Sequence, residues 1–156
     1  MPLIQLTKGK FAIVDYEDYK ALYRYKWCLN NYGYAVRNNK KRSTVYMHRE
    51  IMKPIAGQQV DHVNLDKLDN RRSNLRFATD YQNRVNRGVR CDSKLKIKGV
   101  RFVPRQKTFG VYQARIKQKH LGYFQTKRQA AEAYNKAAKM LFGEFSYLNK
   151  LELIND

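Results

Sequence analysis

Acidic side chains are scarce in this chain: 13 Asp and Glu stand against 32 Lys and Arg, a formal charge of +19 over 156 residues. A surface tuned only for solubility mixes both signs. The imbalance argues instead for a polyanionic partner, with nucleic acid first and an anionic membrane surface second. Cysteine is almost absent. Cys28 and Cys91 lie far apart without a CxxC partner, which excludes a zinc ribbon or finger and a disulfide framework. Long apolar runs are missing too. Nothing approaches the ~20 residues of a membrane span, and the opening MPLIQLTKGK lacks the apolar core of a signal peptide. These absences point to a reducing, cytoplasmic setting and no membrane.

The charge that is present is unevenly placed. Residues 1–83 hold 15 basic and 8 acidic side chains, residues 84–156 hold 17 and 5, and Arg84 to Lys119 contains 12 basic residues with Asp92 as its one acid.

The pattern of apolar and turn residues sets out two units. Phe11–Val14 reads as a strand and DYEDYKALYRY as a compact helix with Tyr19, Leu22 and Tyr23 on one side. Trp27–Leu29 and Tyr34–Arg37 read as strands around the turn Asn30-Asn31-Tyr32-Gly33. Val45–Met52 packs as strand into helix, ended by Pro54 and Gly57. His48 falls in it, and reads as a core-edge histidine satisfied by a hydrogen bond, with a catalytic role as the alternative. Val60–Val63 and Leu75–Ala78 are strands flanking a polar loop. Thr79-Asp80-Tyr81-Gln82 then has the form of a capping box, which puts Asn83 in the first turn of a helix.

Residues 84–97 have no sustained periodicity and read as a basic linker. From Lys98 three short alternating strands follow, with Phe102 and Phe124 expected in a sheet–helix core. A second capping box at Thr126–Gln129 opens a helix whose Ala130, Ala133, Tyr134, Ala137, Ala138 and Leu141 form one stripe, with Gly143 beyond its end. The expected class is α+β, with domains at 1–83 and 98–150.

Within the first unit, an acid and an imidazole are adjacent at Asp61 and His62. Phosphodiester hydrolysis needs a base and a cation in fixed geometry. An imidazole titrating near neutrality suits the first task, and hard oxygens from Asp61 and Asn83 suit Mg²⁺ or Mn²⁺ better than zinc. Adjacent strand residues point to opposite faces, so the pair shares a site only where the strand bends or ends.

The set Val60-Asp61-His62, Asn70-Arg71-Arg72-Ser73-Asn74-Leu75-Arg76, Thr79 and Asn83 resembles the HNH endonucleases, in the branch found in phage and intron-encoded homing enzymes. The resemblance implies a ββα-metal domain. It makes His62 the general base, Asp61 and Asn83 metal ligands, and Asn74 the residue that positions the base, with Asn70 the runner-up. It also implies one Mg²⁺ (or Mn²⁺), 5′-phosphate and 3′-hydroxyl products, and the cytoplasm of a bacterial or phage-infected host cell.

The stretch from Lys98 to Asn149, with Gly99-Val100-Arg101, Gly110, Ala114-Arg115-Ile116, Leu121-Gly122-Tyr123-Phe124 and Ala130-Ala131-Glu132-Ala133-Tyr134, resembles an AP2 domain, three antiparallel strands packed on one helix. That resemblance implies a sheet laid in the major groove of double-stranded DNA. The contact candidates it gives are Lys98, Arg101, Arg105, Tyr112, Arg115, Lys117 and His120. Tyr112 and His120 stand where plant members have tryptophan, so their base preference does not transfer.

The expected function is a homing-type DNA endonuclease, a monomer or weak dimer, that nicks at a site held by the AP2 unit. A regulatory DNA-binding protein on the same scaffold is the alternative, and an RNA-directed protein a third reading.

Overall fold

A computed structural model describes residues 1–104 and 111–155, and its chain divides into two compact units, Met1–Asn83 and Arg84–Asp156. Among the described residues no helix is long and apolar enough to cross a membrane.

In the first unit, β1 (Leu3–Gln5) pairs antiparallel with β2 (Phe11–Ile13). The opening residues thus contribute a strand that the short apolar run LIQL did not announce. Helix α1 (Tyr16–Leu22) follows, and Trp27 closes under its end by donating its indole N–H to the Leu22 carbonyl at 2.9 Å. Strands β3 (Cys28–Leu29), β4 (Ala35–Asn38) and β5 (Thr44–Tyr46) form an antiparallel sheet in that order. The β3–β4 turn is held by Asn30, whose Oδ1 accepts from the backbone N–H groups of Tyr32 and Tyr34, the Asx geometry that favours asparagine there. β5 runs directly into α2 (Met47–Met52).

β6 (Gln59–His62) pairs antiparallel with β7 (Leu75–Ala78), and α3 (Asp80–Val85) follows. The Thr79 box forms in both directions: Gln82 N–H donates to Thr79 Oγ1 at 3.2 Å, and Thr79 N–H to Gln82 Oε1 at 2.8 Å. One core joins these pieces through Ile4, Val14, Leu22, Trp27, Met47, Ile51, Val60 and Leu75. Val60 and Leu75 bring the β6–β7 pair onto this core, so the polar loop between them projects from a rigid base.

In the second unit, β8 (Val100–Phe102), β9 (Tyr112–Ile116) and β10 (Lys119–Phe124) form an antiparallel sheet of order β10-β9-β8. Helix α4 (Lys127–Phe142), started by the complete Thr126–Gln129 box, packs on it through Ala130, Ala131, Tyr134 and Ala138. Gly99 sits at φ +75°, and a Cβ there would lie 2.0 Å from the Tyr134 ring and 2.6 Å from the Arg115 carbonyl. Only glycine allows that approach. Asn149 closes the unit: its side chain brackets the Lys98 backbone from both sides, and its own backbone exchanges two hydrogen bonds with Asn135.

Two expectations change here. Residues 84–97, read as a linker, belong to the second unit; Asn86 and Ile97 are buried, and Ile97 joins the sheet–helix core. Their lack of periodicity reflects irregular backbone rather than absence of packing. Phe124 does pack against that core, but Phe102 is 53% exposed and meets Tyr112 at the outer end of β8. Placement at the end of an edge strand leaves it little to pack on.

Candidate active site and nucleic-acid surface

The β6–β7 ladder sets the first site. Asp61 stands directly opposite Arg76 in the register, and the guanidinium donates to Asp61 Oδ2 through Nε at 3.0 Å and Nη2 at 2.8 Å. His62 is the last residue of β6, but it and Asp61 both lie within the ladder, opposite Leu75 and Arg76, where neighbouring side chains alternate between faces. Val60, Asp61 and His62 are all buried.

The loop from 63 to 74 is braced by its own asparagines and aspartates. Asn64 N–H donates to Asn74 Oδ1, and Asn74 Nδ2 donates to the Asp69 carbonyl at 2.8 Å. Asp69 takes the Arg71 guanidinium on both oxygens, and that pairing holds its carboxyl below the usual carboxylate range. A parallel bridge between Ile13 and Asp69, with Ile13 N–H bonded to Leu68 O and Asn70 N–H to Ile13 O, each at 2.8 Å, ties the loop to β2.

Asn70 is wholly buried at the centre of this arrangement. Its Nδ2 donates to the Leu68 carbonyl at 3.1 Å, which leaves Oδ1 turned to His62 Nε2 at 3.4 Å. An amide oxygen can only accept, so a hydrogen bond here requires the tautomer with its proton on Nε2 and its lone pair on Nδ1. Burial lowers the His62 pKa; the Asn70 contact and the charges of Asp61, Asp66 and Asp69 act against that shift. The ring is therefore neutral at neutral pH, the state a general base requires. The geometry brings Asn70, not Asn74, to the imidazole, while the Asn74 side chain shapes the loop.

Asn83 lines a cleft of about 770 Å³ together with Gln59, Val60, Tyr34, Tyr46 and His48. Tyr34 lies 6.0 Å from His62 and 5.3 Å from His48, ring centroid to centroid. Among the described residues no three His, Cys, Asp or Glu side chains gather to hold a metal. Asp61 is not among the residues lining the cleft that holds Asn83, and its buried carboxylate is taken by Arg76. A carboxylate and an amide are hard oxygen donors, the kind that suits Mg²⁺ or Mn²⁺.

Residues 53–85 match the family model described as HNH endonuclease, a span that contains Asp61, His62, Asn70, Asn74 and Asn83. A protein of Acanthamoeba polyphaga mimivirus, named as an uncharacterized HNH endonuclease, is 33% identical over 160 residues, covering 96% of this chain and 80% of its own length. The chain belongs to the HNH endonuclease family. No solved structure matches it.

The second unit of this HNH family member sorts the remaining candidates. Arg101, Gln113 and Tyr123 are cross-strand neighbours on β8, β9 and β10. Arg101 Nε donates to Gln113 Oε1 at 2.5 Å, and Gln113 Nε2 donates to the Tyr123 hydroxyl at 3.2 Å. The His120 ring lies tilted against Tyr123 at 4.8 Å, and His120 pairs across the ladder with Arg115. Arg101, Gln113, Arg115, His120 and Tyr123 thus share one side of the sheet. Gln113 and Tyr123 escaped the sequence reading, although the two-residue spacing of Gln113 from Arg115 already put it on that face.

Three other candidates point elsewhere. Lys98 donates its ammonium to the Val85 and Arg87 carbonyls and lies over the Tyr147 ring, and burial lowers its pKa to about 8. Tyr112 packs against the sheet–helix core, and the Lys117 ammonium sits 5.1 Å from the Phe142 ring centre. Arg105 lies outside the described residues.

Proposed function

We propose that this protein is a metal-dependent DNA endonuclease of the homing type, and that it nicks one strand of a duplex. His62 is the general base, taking a proton from water on Nδ1 while Asn70 holds Nε2–H. Asp61 and Asn83 would hold the divalent cation, Mg²⁺ or Mn²⁺, which would supply positive charge to the phosphate. Arg76 opposite Asp61 holds that carboxylate in orientation. The products are a 5′-phosphate and a 3′-hydroxyl. One such centre per chain cuts one strand, so a monomer suffices.

The second unit acts as an AP2-type clamp. Arg101, Arg115 and His120, with Gln113 and Tyr123 beside them, meet bases and phosphates, and the +12 charge of residues 84–156 draws the duplex in. The observation that carries the catalytic reading is the buried imidazole of His62, fixed in one tautomer by Asn70 next to Asp61.

One observation favours a second reading, a regulatory DNA-binding protein: Asp61 is already engaged by Arg76 and His62 is almost fully enclosed. Supercoiled plasmids incubated with Mg²⁺, with Mn²⁺ and with EDTA, scored for both band shift and nicked circle, separate the two. Metal-dependent nicking supports the enzyme. Shift without nicking on a plasmid carrying the protein's own flanking DNA supports the regulator.

A further inference from the structure

His48 is the second residue of α2, in the cleft that also holds Asn83, and it lies outside the 53–85 family match. It is 7% exposed. Its ring meets His62 edge-on at 5.1 Å, Tyr34 at 5.3 Å and Tyr46 at 5.5 Å. The sequence suggested an imidazole satisfied by a hydrogen bond, but His48 Nδ1 is buried with no hydrogen-bond partner among the described residues.

An unpaired buried polar atom costs stability. Phenylalanine would give the same edge-to-face packing against His62 and the same tilted contacts with Tyr34 and Tyr46 without that cost. Packing alone therefore does not explain a histidine here, and an unpaired buried group calls for another explanation, such as a catalytic role or a bound water or ion. Burial and the neighbouring His62 and Arg49 lower its pKa to about 3, so the ring is neutral, with one N–H donor and one lone pair. The cleft it lines carries Arg49 and Thr44 besides Asn83, while Arg37 on the same wall is paired with Glu50, so Arg49 is the cation placed to meet an anionic oxygen-rich ligand.

We propose that His48 is a second DNA-contacting histidine of the active site, its neutral ring donating an N–H hydrogen bond to a phosphodiester oxygen entering this cleft. The ligand class rests on the nuclease reading above. His48 moves no proton in the reaction; it positions the phosphate in the cleft it shares with Asn83, edge-on to the His62 ring.

The chain has three histidines, at 48, 62 and 120, so ¹⁵N-histidine spectra of the full chain resolve each ring, with assignment by His48→Phe and His120→Gln. Duplex DNA added in EDTA, where no cleavage occurs, is expected to move the His48 ring nitrogens while they keep the shifts of a neutral ring. With metal, His48→Phe should lower the single-turnover nicking rate about 10- to 100-fold, the effect of one hydrogen bond to a charged group, at an unchanged or higher melting temperature. His48→Gln should recover part of that rate. Unmoved His48 nitrogens at DNA excess, or a His48→Phe protein that nicks at the wild-type rate, would overturn the proposal. If wild-type protein fails to nick while the His48 nitrogens still move, the nuclease reading fails and the DNA contact stands.

Discussion

Replacing Asn70 offers a way to see whether the loop acts on the base or only on itself. Asn70→Ala deletes the acceptor for His62 Nε2–H and one donor to the Leu68 carbonyl, which still accepts from Ile13 N–H. A lost partner for a buried polar group costs roughly 1–3 kcal/mol, and the 3.4 Å contact belongs at the low end because it is long. The first unit should lose about 1–3 kcal/mol, which a domain of ordinary stability survives. The nicking rate per folded molecule should fall ~10- to 100-fold, part of the 10²–10⁴ that a positioned base contributes.

Asn70→Asp separates orientation from packing. A carboxylate at that position favours the charged imidazole and raises the His62 pKa, so the acid limb of the pH–rate profile moves up, by about 1–2 units. In wild type that limb lies below the ordinary histidine value of ~6.5, because burial lowers the His62 pKa. Asn74→Ala breaks loop bonds only; it should cost similar stability and leave the limb in place. Single-turnover nicking across pH, with urea unfolding of each variant, measures all of this. An unmoved limb in Asn70→Asp, together with equal rate losses in the two alanine variants, would refute the assignment of Asn70 to the base.

Other outcomes follow from the same geometry. Arg76→Ala leaves the Asp61 carboxylate buried without its cation, a loss of ~3–5 kcal/mol, and the melting temperature of this variant should then rise with added Mg²⁺ more than that of wild type; equal responses would remove Asp61 from the metal site. Gly99→Ala forces a methyl into Tyr134 and a side chain into positive φ, so calorimetry should find the second unit destabilised by at least ~1–3 kcal/mol. Arg101→Ala and Arg115→Ala should each weaken duplex binding across sequences and lower the salt slope by about 1. Lys98→Ala, by contrast, should lower the melting temperature of the second unit and leave the salt slope unchanged, because its ammonium is held by the Val85 and Arg87 carbonyls.

What the sequence made legible was local. Both capping boxes form at the residues that spell them, Thr79 with Gln82 and Thr126 with Gln129, because a cap is decided within four residues. The strand ending at His62 and its partner Leu75–Ala78 were readable from apolar runs around a polar turn. The roles of Asn70 and Asn74 were not, since they depend on the bridge between Ile13 and Asp69, more than fifty residues apart. Lys98 looked like a DNA contact by charge, yet chain reversal through residues 84–97 brings two carbonyls to its ammonium. No periodicity encodes such irregular packing. The sheet face at Arg101 and Arg115 was half visible; Tyr123 joins it only through the register of β9 with β10.

The central claim is that a neutral His62, beside a metal held by Asp61 and Asn83, activates water to cut DNA. Its most direct test is the single-turnover nicking rate of wild type and His62→Ala on a supercoiled plasmid carrying the protein's own flanking DNA, with saturating Mg²⁺ and with EDTA. Wild type should give nicked circles bearing 5′-phosphates and no product in EDTA, and His62→Ala should lose ~10²–10⁴ in rate. Equal rates in the two proteins, or nicking undiminished by EDTA, would contradict it.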